Sequence, residues 1–142
     1  MFRAPQICPS CYSHAPPDAA TCPACGMEFA RWAELDYADR LIASLRHPLS
    51  DVRMTAIAVL ALRRESRAAT PLRDLAFAHP VDVVQDLSIV EALAEISGEV
   101  SVAALTELAR GHPARAVRKA ALHQLERPRG GADDFDELPI QE

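Results

Sequence analysis

Apolar residues in the central part of the chain follow a pattern that repeats after 32 and again after 33 residues, marked by His-Pro at 47–48, 79–80 and 112–113. Counted from each histidine, four positions are apolar or small in all three copies. They are the fifth (Val52, Val84, Val117), the ninth (Ala56, Ser88, Ala121), the tenth (Ile57, Ile89, Leu122) and the thirteenth (Leu60, Ala92, Leu125). This spacing predicts one apolar face of a helix after each His-Pro.

A second amphipathic segment precedes each His-Pro. Its apolar residues are Leu41 and Leu45 in the first copy, Leu72 and Leu75 in the second, and Leu105 and Leu108 in the third. Each copy therefore predicts a helix, a tight turn and a second helix. Proline suits that turn, or the first position of the second helix, because its missing N–H would be unpaired there in any case.

The segments DVRMTAIAVLAL and PARAVRKAALHQL resemble HEAT repeats of the short, PBS-lyase type, over residues 36–126. The resemblance implies an all-α fold, an α-solenoid of about three helical hairpins whose second helices line a concave surface. Composition agrees with helix-on-helix packing, since 49% of residues are hydrophobic and only 5% are aromatic.

Arg53 and Arg118 occupy the same position in the first and third copies, and Gln85 lies between them. By the HEAT resemblance they are ladder residues that bond to a neighbouring turn, often through an acid such as Asp51. Alternatively, they form a basic strip that binds a partner. We favour the ladder, because arginine commonly makes such bidentate structural bonds.

Two C-x-x-C pairs stand near the N-terminus, Cys8 with Cys11 and Cys22 with Cys25, separated by ten residues. Each pair can form a turn that directs two thiolates at one ion, and two such turns supply the tetrahedral set of a structural Zn²⁺ site. Iron in a rubredoxin-like site is the main alternative, because it also accepts four sulfurs. A redox dithiol suits this spacing less well.

The CPSC and CPACG motifs resemble the short bacterial zinc-ribbon family over residues 6–29, which implies that the four cysteines are the metal ligands. Tyr12 departs from the family, which usually has glycine at this position. The first turn is therefore expected to differ, with Tyr12 either shielding the sulfurs or exposed for contact. His14 is expected to be a loop side chain, because four cysteines already satisfy the ion.

The order of these features predicts a zinc ribbon at 1–30, helical repeats at 31–127 and an acidic tail at 128–142. Trp32, in the connection, is expected to dock the ribbon on the first hairpin, or else to be an exposed anchor for a partner. In the tail, Phe135 and Leu138 stand among acidic residues. That pattern is typical of a disordered, solvated segment or of a short docking motif.

The distribution of charge and the search for catalytic motifs indicate which class of function to expect. The net charge is −5, but residues 31–126 carry 12 basic and 13 acidic side chains, so the body has no strong field to attract nucleic acid. No catalytic motif is recognisable, and a closed metal site leaves no position for a substrate. We therefore expect a non-catalytic adaptor that binds another protein, with nucleic-acid binding or iron-based electron transfer as alternatives.

The location is expected to be the cytoplasm, because paired cysteines without a secretory signal indicate metal binding in a reducing compartment. No membrane insertion is expected, since no apolar run approaches the length of a spanning helix.

Overall fold

The computed structural model describes residues 3–127, and within them a small β-hairpin is followed by seven α-helices. The elements are β1 (Gln6–Ile7), β2 (His14–Ala15), α1 (Phe29–Ala33), α2 (Tyr37–Ser44), α3 (Ser50–Leu62), α4 (Ala69–Ala78), α5 (Val83–Ile96), α6 (Gly98–Gly111) and α7 (Arg115–Glu126). The prediction of a helical chain with an N-terminal cysteine module is confirmed. None of these helices is long and apolar enough to cross a membrane.

Consecutive helices pair into three units: unit 1 is α2 with α3, unit 2 is α4 with α5, and unit 3 is α6 with α7. The units also pack on one another, since α3 contacts α5, α5 contacts α7, and α4 contacts α6. The first helices (α2, α4, α6) thus form one layer and the second helices (α3, α5, α7) another. Between α2 and α4 the first layer opens into a groove.

Two helices begin after an aspartate whose side chain caps the helix N-terminus, a position that short polar residues commonly occupy. Asp36 precedes α2, and its carboxylate accepts the N–H of Asp39 at 2.8 Å; Asp82 precedes α5 and accepts the N–H of Gln85 at 3.1 Å. Such caps satisfy backbone donors that have no partner inside the helix. They fix where each helix begins, and hence which residues face the core.

The core lies between the two layers and is built from leucine and alanine. Its fully buried leucines are Leu60, Leu72, Leu93, Leu105 and Leu108, and small side chains such as Ala76 and Ala121 lie among them. Burying one leucine stabilises the fold by roughly 1.5–3 kcal/mol relative to exposing it. The alanines allow the helices to approach closely, which explains a core with so few aromatic residues.

The apolar face predicted for unit 2 is confirmed at Ile89 and Ala92, which are 0% and 2% exposed, but it is wrong at Val84. Helix α5 is capped three residues after His79, whereas α3 and α7 are capped two residues after their histidines. Val84, expected on the apolar face, is consequently 70% exposed, and Gln85 is buried in its place. Counted from the helix cap, the unit 2 equivalent of Arg53 and Arg118 is Asp86, not Gln85.

Candidate metal centre

The four cysteines lie on two backbone turns of the same shape. In the first turn the carbonyl of Cys8 accepts the N–H of Tyr12 at 2.8 Å, and in the second the carbonyl of Cys22 accepts the N–H of Gly26 at 2.8 Å. In both turns the N–H of the first cysteine donates to the carbonyl five residues later, at 2.9 Å. The hairpin of β1 and β2 holds the first turn, because Cys8 directly follows β1.

Tyr12 has the backbone conformation that glycine would adopt at its position. Its φ is 61°, and the equivalent Gly26 has a φ of 78°. The expectation that tyrosine changes the first turn is therefore wrong, since the two turns share their shape and their hydrogen bonds. A side chain in this left-handed region destabilises the fold by roughly 1–2 kcal/mol, so the tyrosine must be held by its surroundings.

The sulfur positions fit a single tetrahedral ion. Cys8 Sγ lies 3.7 Å from Cys25 Sγ, Cys11 Sγ lies 3.6 Å from Cys22 Sγ, and all four sulfurs lie within 4.8 Å of one another. A tetrahedron with metal–sulfur bonds of about 2.3 Å has edges of about 3.8 Å. These separations are much longer than a disulfide bond. The four cysteines are thus placed to bind one metal ion.

The thiols differ in environment. Cys8 and Cys22 are buried, whereas Cys11 and Cys25 are exposed. Hydrogen bonds from the side chain and the backbone of Ser13 lower the pKa of the Cys11 thiol to about 6. The backbone at Met27 acts to lower the pKa of Cys25, but desolvation and the neighbouring thiols raise it to about 11. Metal binding must therefore displace protons from this cluster, and its affinity rises with pH.

The metal cluster found within residues 3–127 consists of the four cysteines alone. His14 is exposed on β2 and is not a member of it. Four thiolates around one ion suit zinc and also iron, so the donor set alone does not choose between them.

Tyr12 joins the cysteine module to unit 1. Its ring lies 4.2 Å from the ring of His47, measured between centroids, and its hydroxyl donates to the carbonyl of Ala43 at 3.4 Å. Burial raises the pKa of the Tyr12 phenol. These contacts explain why a tyrosine occupies a backbone conformation that favours glycine: its side chain packs on the end of α2 and on the turn that follows.

The substitution Tyr12→Gly should separate the motion of the two parts without loss of the metal. Glycine suits the backbone at this position, so we expect metal affinity to change by less than about threefold, while the packing on His47 is lost. Backbone ¹⁵N relaxation measures the result, as faster tumbling of residues 6–27 than of the helices. Tyr12→Phe is the control, because it keeps the ring and removes only the hydroxyl. Uniform tumbling of the Tyr12→Gly variant would contradict this role.

The structure places Arg53 and Arg118 in equivalent bonds to their own turns. Arg53 Nη1 donates to the carbonyls of His47 and Pro48 at 2.7 and 3.0 Å. Arg118 Nη1 donates to the carbonyls of His112 and Pro113 at 2.6 and 2.8 Å. Both arginines thus bind the turn that begins their own helix, whereas the ladder interpretation predicted a bond to a neighbouring turn.

Arg53 also reaches unit 2. Its Nε donates to Gln85 Oε1 at 2.7 Å, and its Nη2 lies 3.9 Å from a carboxylate oxygen of Asp82. These partners lie in the next unit, whereas Asp51, the acid expected from the resemblance, lies in the same helix as Arg53. The arginine thus ties its own turn to the beginning of α5.

A buried hydrogen bond between Asp86 and His112 links units 2 and 3, and sequence analysis missed it. Asp86 Oδ2 lies 3.0 Å from His112 Nε2, and both side chains are fully buried. The Nδ1 atom of His112 accepts the N–H of Ala114 at 3.1 Å, which assigns the ring proton to Nε2. His112 Nε2 therefore donates to Asp86 and, at 3.2 Å, to the carbonyl of Ala76. Burial raises the pKa of Asp86 to about 6.

The remaining candidate residues are less informative. Trp32 lies on the short helix α1 and is partly buried. Phe135 and Leu138 lie outside the described residues. Two arginines of the helical part, Arg67 and Arg73, pair with carboxylates: Arg67 with Asp36, Asp39 and Glu65, and Arg73 with Asp74 and Glu107. These bonds neutralise the charge of Arg67 and Arg73, which a phosphate backbone would otherwise contact.

No protein-family model, no curated protein and no solved structure matches this chain.

Proposed function

We propose that this chain is a non-catalytic adaptor, in which a zinc ribbon caps a HEAT-like α-solenoid that binds another protein. The observation that carries the proposal is the groove between α2 and α4, which offers a partly enclosed apolar surface on the first-helix layer. The other parts of the proposal have separate support, given in turn below.

The solenoid is supported by how the units repeat. Each second helix packs on the next second helix, which is the arrangement of a stack in which every unit contacts its neighbours. Units 1 and 3 also use the same arginine, Arg53 or Arg118, to bind the carbonyls of a His-Pro turn. A repeated hydrogen bond in repeated positions is typical of an internal repeat.

A structural role for the metal follows from its donor set. Four thiolates occupy all positions of a tetrahedral zinc ion, so no position remains for a substrate or an activated water. The ion would instead supply the folding free energy of a module whose hairpin has only two residues in each strand. The residues that would hold it are Cys8, Cys11, Cys22 and Cys25.

The groove has the size and character of a recognition site. Its volume is about 520 Å³, and its apolar lining includes Ile42, Leu45, Pro71, Leu75 and Ala78. Charged groups of both signs stand at its rim, with Asp39 and Asp74 beside Arg46. Apolar pockets with a few polar groups at the edge commonly accept an anchoring side chain of a partner. The fit is to a protein segment with one or two apolar anchors.

The substitution Ala78→Arg tests the groove. Ala78 is exposed at the end of α4, so a long charged side chain there should obstruct the groove without disturbing the core. We expect partners captured by the tagged wild-type chain from its native lysate to fall at least tenfold with Ala78→Arg. The control is Ala103→Arg, an exposed alanine on α6 of the same layer.

Capture is repeated after nuclease treatment, with mass spectrometry to identify co-eluting proteins. A discrete protein set that survives nuclease and is lost only with Ala78→Arg supports the adaptor. Partners lost on nuclease treatment, or nucleic acid in the eluate, would instead favour the nucleic-acid alternative. Equal capture by both variants would contradict the groove.

A further inference from the structure

The last unit leaves uncovered a surface that the other two units bury. At the eighth position after the helix cap, Ile57 in unit 1 and Val90 in unit 2 are 2% and 1% exposed. Each lies one helical turn after a residue that binds the following unit, Arg53 or Asp86, and therefore on the same face of its helix. The equivalent residue of unit 3 is Leu122, which is 50% exposed. Within residues 3–127 no unit follows α7 to cover it.

The same face of α7 contains Arg118, the equivalent of Arg53 in unit 1. Within the described residues, the two arginines differ in which of their guanidinium nitrogens are hydrogen-bonded. In unit 1, Arg53 binds its own turn through Nη1 and a following amide and carboxylate through Nε and Nη2. Arg118 makes the same bonds through Nη1, but its Nε and Nη2 have no such partner in the described part of the chain. The comparison shows which group fits there: an amide or carboxylate oxygen, arriving from the side on which a fourth unit would lie.

We call this surface the trailing face of unit 3 and define it as Arg118, Leu122 and Leu125. Basic residues surround it, with Arg115 and Lys119 exposed on α7. A ligand for this face therefore needs an apolar side chain beside carboxylates.

The sequence that follows α7 has that composition. Residues 128–142 carry one arginine against five acidic residues, a net charge of −4. Each of two acidic pairs, Asp133 with Asp134 and Asp136 with Glu137, is followed by an apolar residue, Phe135 or Leu138. The segment is attached where α7 ends, next to the trailing face.

We propose that residues 133–138 of the chain's own tail cover the trailing face of unit 3. In this arrangement a carboxylate takes the place that Gln85 and Asp82 have at Arg53, and Phe135 or Leu138 packs on Leu122. The proposal does not depend on the groove or on the adaptor function, because it uses only the equivalence of the units.

The tether is long enough for this contact. Arg118 lies nine residues before Arg127, which is about 14 Å back along a helix. Residues 127–133 can span about 20 Å when extended. Because the attachment is intramolecular, even a weak contact is favoured by a high effective concentration.

The first test neutralises the tail in the full-length protein by the substitutions Asp133→Asn, Asp134→Asn, Asp136→Asn and Glu137→Gln. The core of the described residues contains none of these four side chains, so it is not altered. We expect the backbone amides in the second half of α7 to exchange hydrogen about tenfold faster, because the cover is lost. The control is Glu142→Gln, which should change nothing. Exchange unaffected by the four substitutions would overturn the proposal.

The second test places the contact at Leu122. If the tail covers this residue, Leu122→Ser should raise the equilibrium constant of unfolding about tenfold in the wild-type background and much less in the neutralised one. Leu62→Ser is the control, because Leu62 is 85% exposed on α3 and should cause a small change in both backgrounds. Equal effects of Leu122→Ser in the two backgrounds would overturn the proposal.

Dilution distinguishes the chain's own tail from that of a second copy. Protection of α7 that is constant over a hundredfold dilution supports binding within one chain. Protection lost on dilution would show that the tail of another molecule covers the face, and the intramolecular assignment would then be wrong.

Discussion

Substitution of Cys22 by serine is expected to abolish metal binding and to unfold residues 1–30 while the helices remain folded. Three thiolates cannot complete the tetrahedron, and Cys22 is one of the two buried ligands. Structural zinc contributes about 10–16 kcal/mol of binding free energy in small modules. The hairpin of β1 and β2 is too small to be stable without it. The measurements are metal content per chain and the NMR dispersion of residues 6–27.

Circular dichroism shows whether the helices remain folded when the cysteine module loses its metal. The helical signal should fall little in Cys22→Ser, and little when a strong chelator removes the metal from the wild type, because the core of units 1–3 contains none of the cysteines. His14→Ala is the control and should keep one metal ion per chain. Collapse of the whole helical signal would contradict the division at residue 30. The colour of the loaded protein identifies the metal, since zinc gives a colourless protein and iron a red one.

Substitution of His112 by alanine is expected to destabilise the helical part by about 3–5 kcal/mol near neutral pH. His112 Nε2 donates to Asp86, and without it a buried carboxylate is left without its donor. The Oδ1 atom of Asp86 already has no hydrogen-bond partner within residues 3–127, so no second donor is available to compensate. The lost ring also leaves a cavity beside Phe77. Chemical denaturation, monitored by the helical signal, measures the change.

Unit 2 supplies the matched control. His79 occupies the same place in its His-Pro turn but is exposed, so His79→Ala should change the free energy of unfolding by less than about 0.5 kcal/mol. Similar losses for both histidines would show that the turn, and not the buried pair, carries the effect.

The pH dependence of stability measures the contribution of Asp86 to the free energy of unfolding. Its pKa is raised on folding from 3.8 to about 6, so the folded state binds the proton more tightly, and stability falls as pH rises through this window. A shift of this size corresponds to about 2–3 kcal/mol. Asp86→Asn removes the titration. The free energy of unfolding of the wild type, relative to Asp86→Asn, should therefore decrease by that amount between pH 4 and pH 7.

The comparison with Asp86→Asn is needed because other carboxylates act in the opposite direction. The N–H of Asp39 and the guanidinium of Arg67 lower the pKa of Asp36, and Arg67 lowers that of Glu65. These two groups lose stabilising bonds as pH falls. A constant difference between wild type and Asp86→Asn across the range would show that Asp86 does not titrate in it.

The metal centre could be predicted from sequence because its geometry is local. Two C-x-x-C turns each bring two sulfurs together whatever the rest of the fold does, and the four cysteines are found where the spacing requires. The role of Tyr12 was not predictable, because it depends on His47, which is 35 residues away in the chain. The departure from the family pattern drew attention to Tyr12, but it did not indicate which residue Tyr12 contacts.

The helical units were also largely predictable, since apolar spacing identifies helices without any tertiary information. The residue at which the second helix of unit 2 begins was not predictable. The residues of its turn are compatible with a helix that starts at either of two positions, and the side chain of Asp82 selects the later one by capping α5. That single shift buries Asp86, and the sequence alone gives no sign of its burial. The groove was also not predictable, because it depends on the distance between α2 and α4.

The one-residue shift in unit 2 makes the contacts between units 1 and 2 different from those between units 2 and 3. Arg53 requires the acceptors that begin α5, and Asp86 requires the buried histidine of the third turn, so each joint is specific to its two neighbours. Most repeat arrays lengthen by duplication of an interchangeable module. In this chain, exchanging two units would leave a guanidinium and a carboxylate each facing the wrong neighbour. The order of the units is thus part of the encoded structure, and an artificial extension would have to copy joints and not only helices.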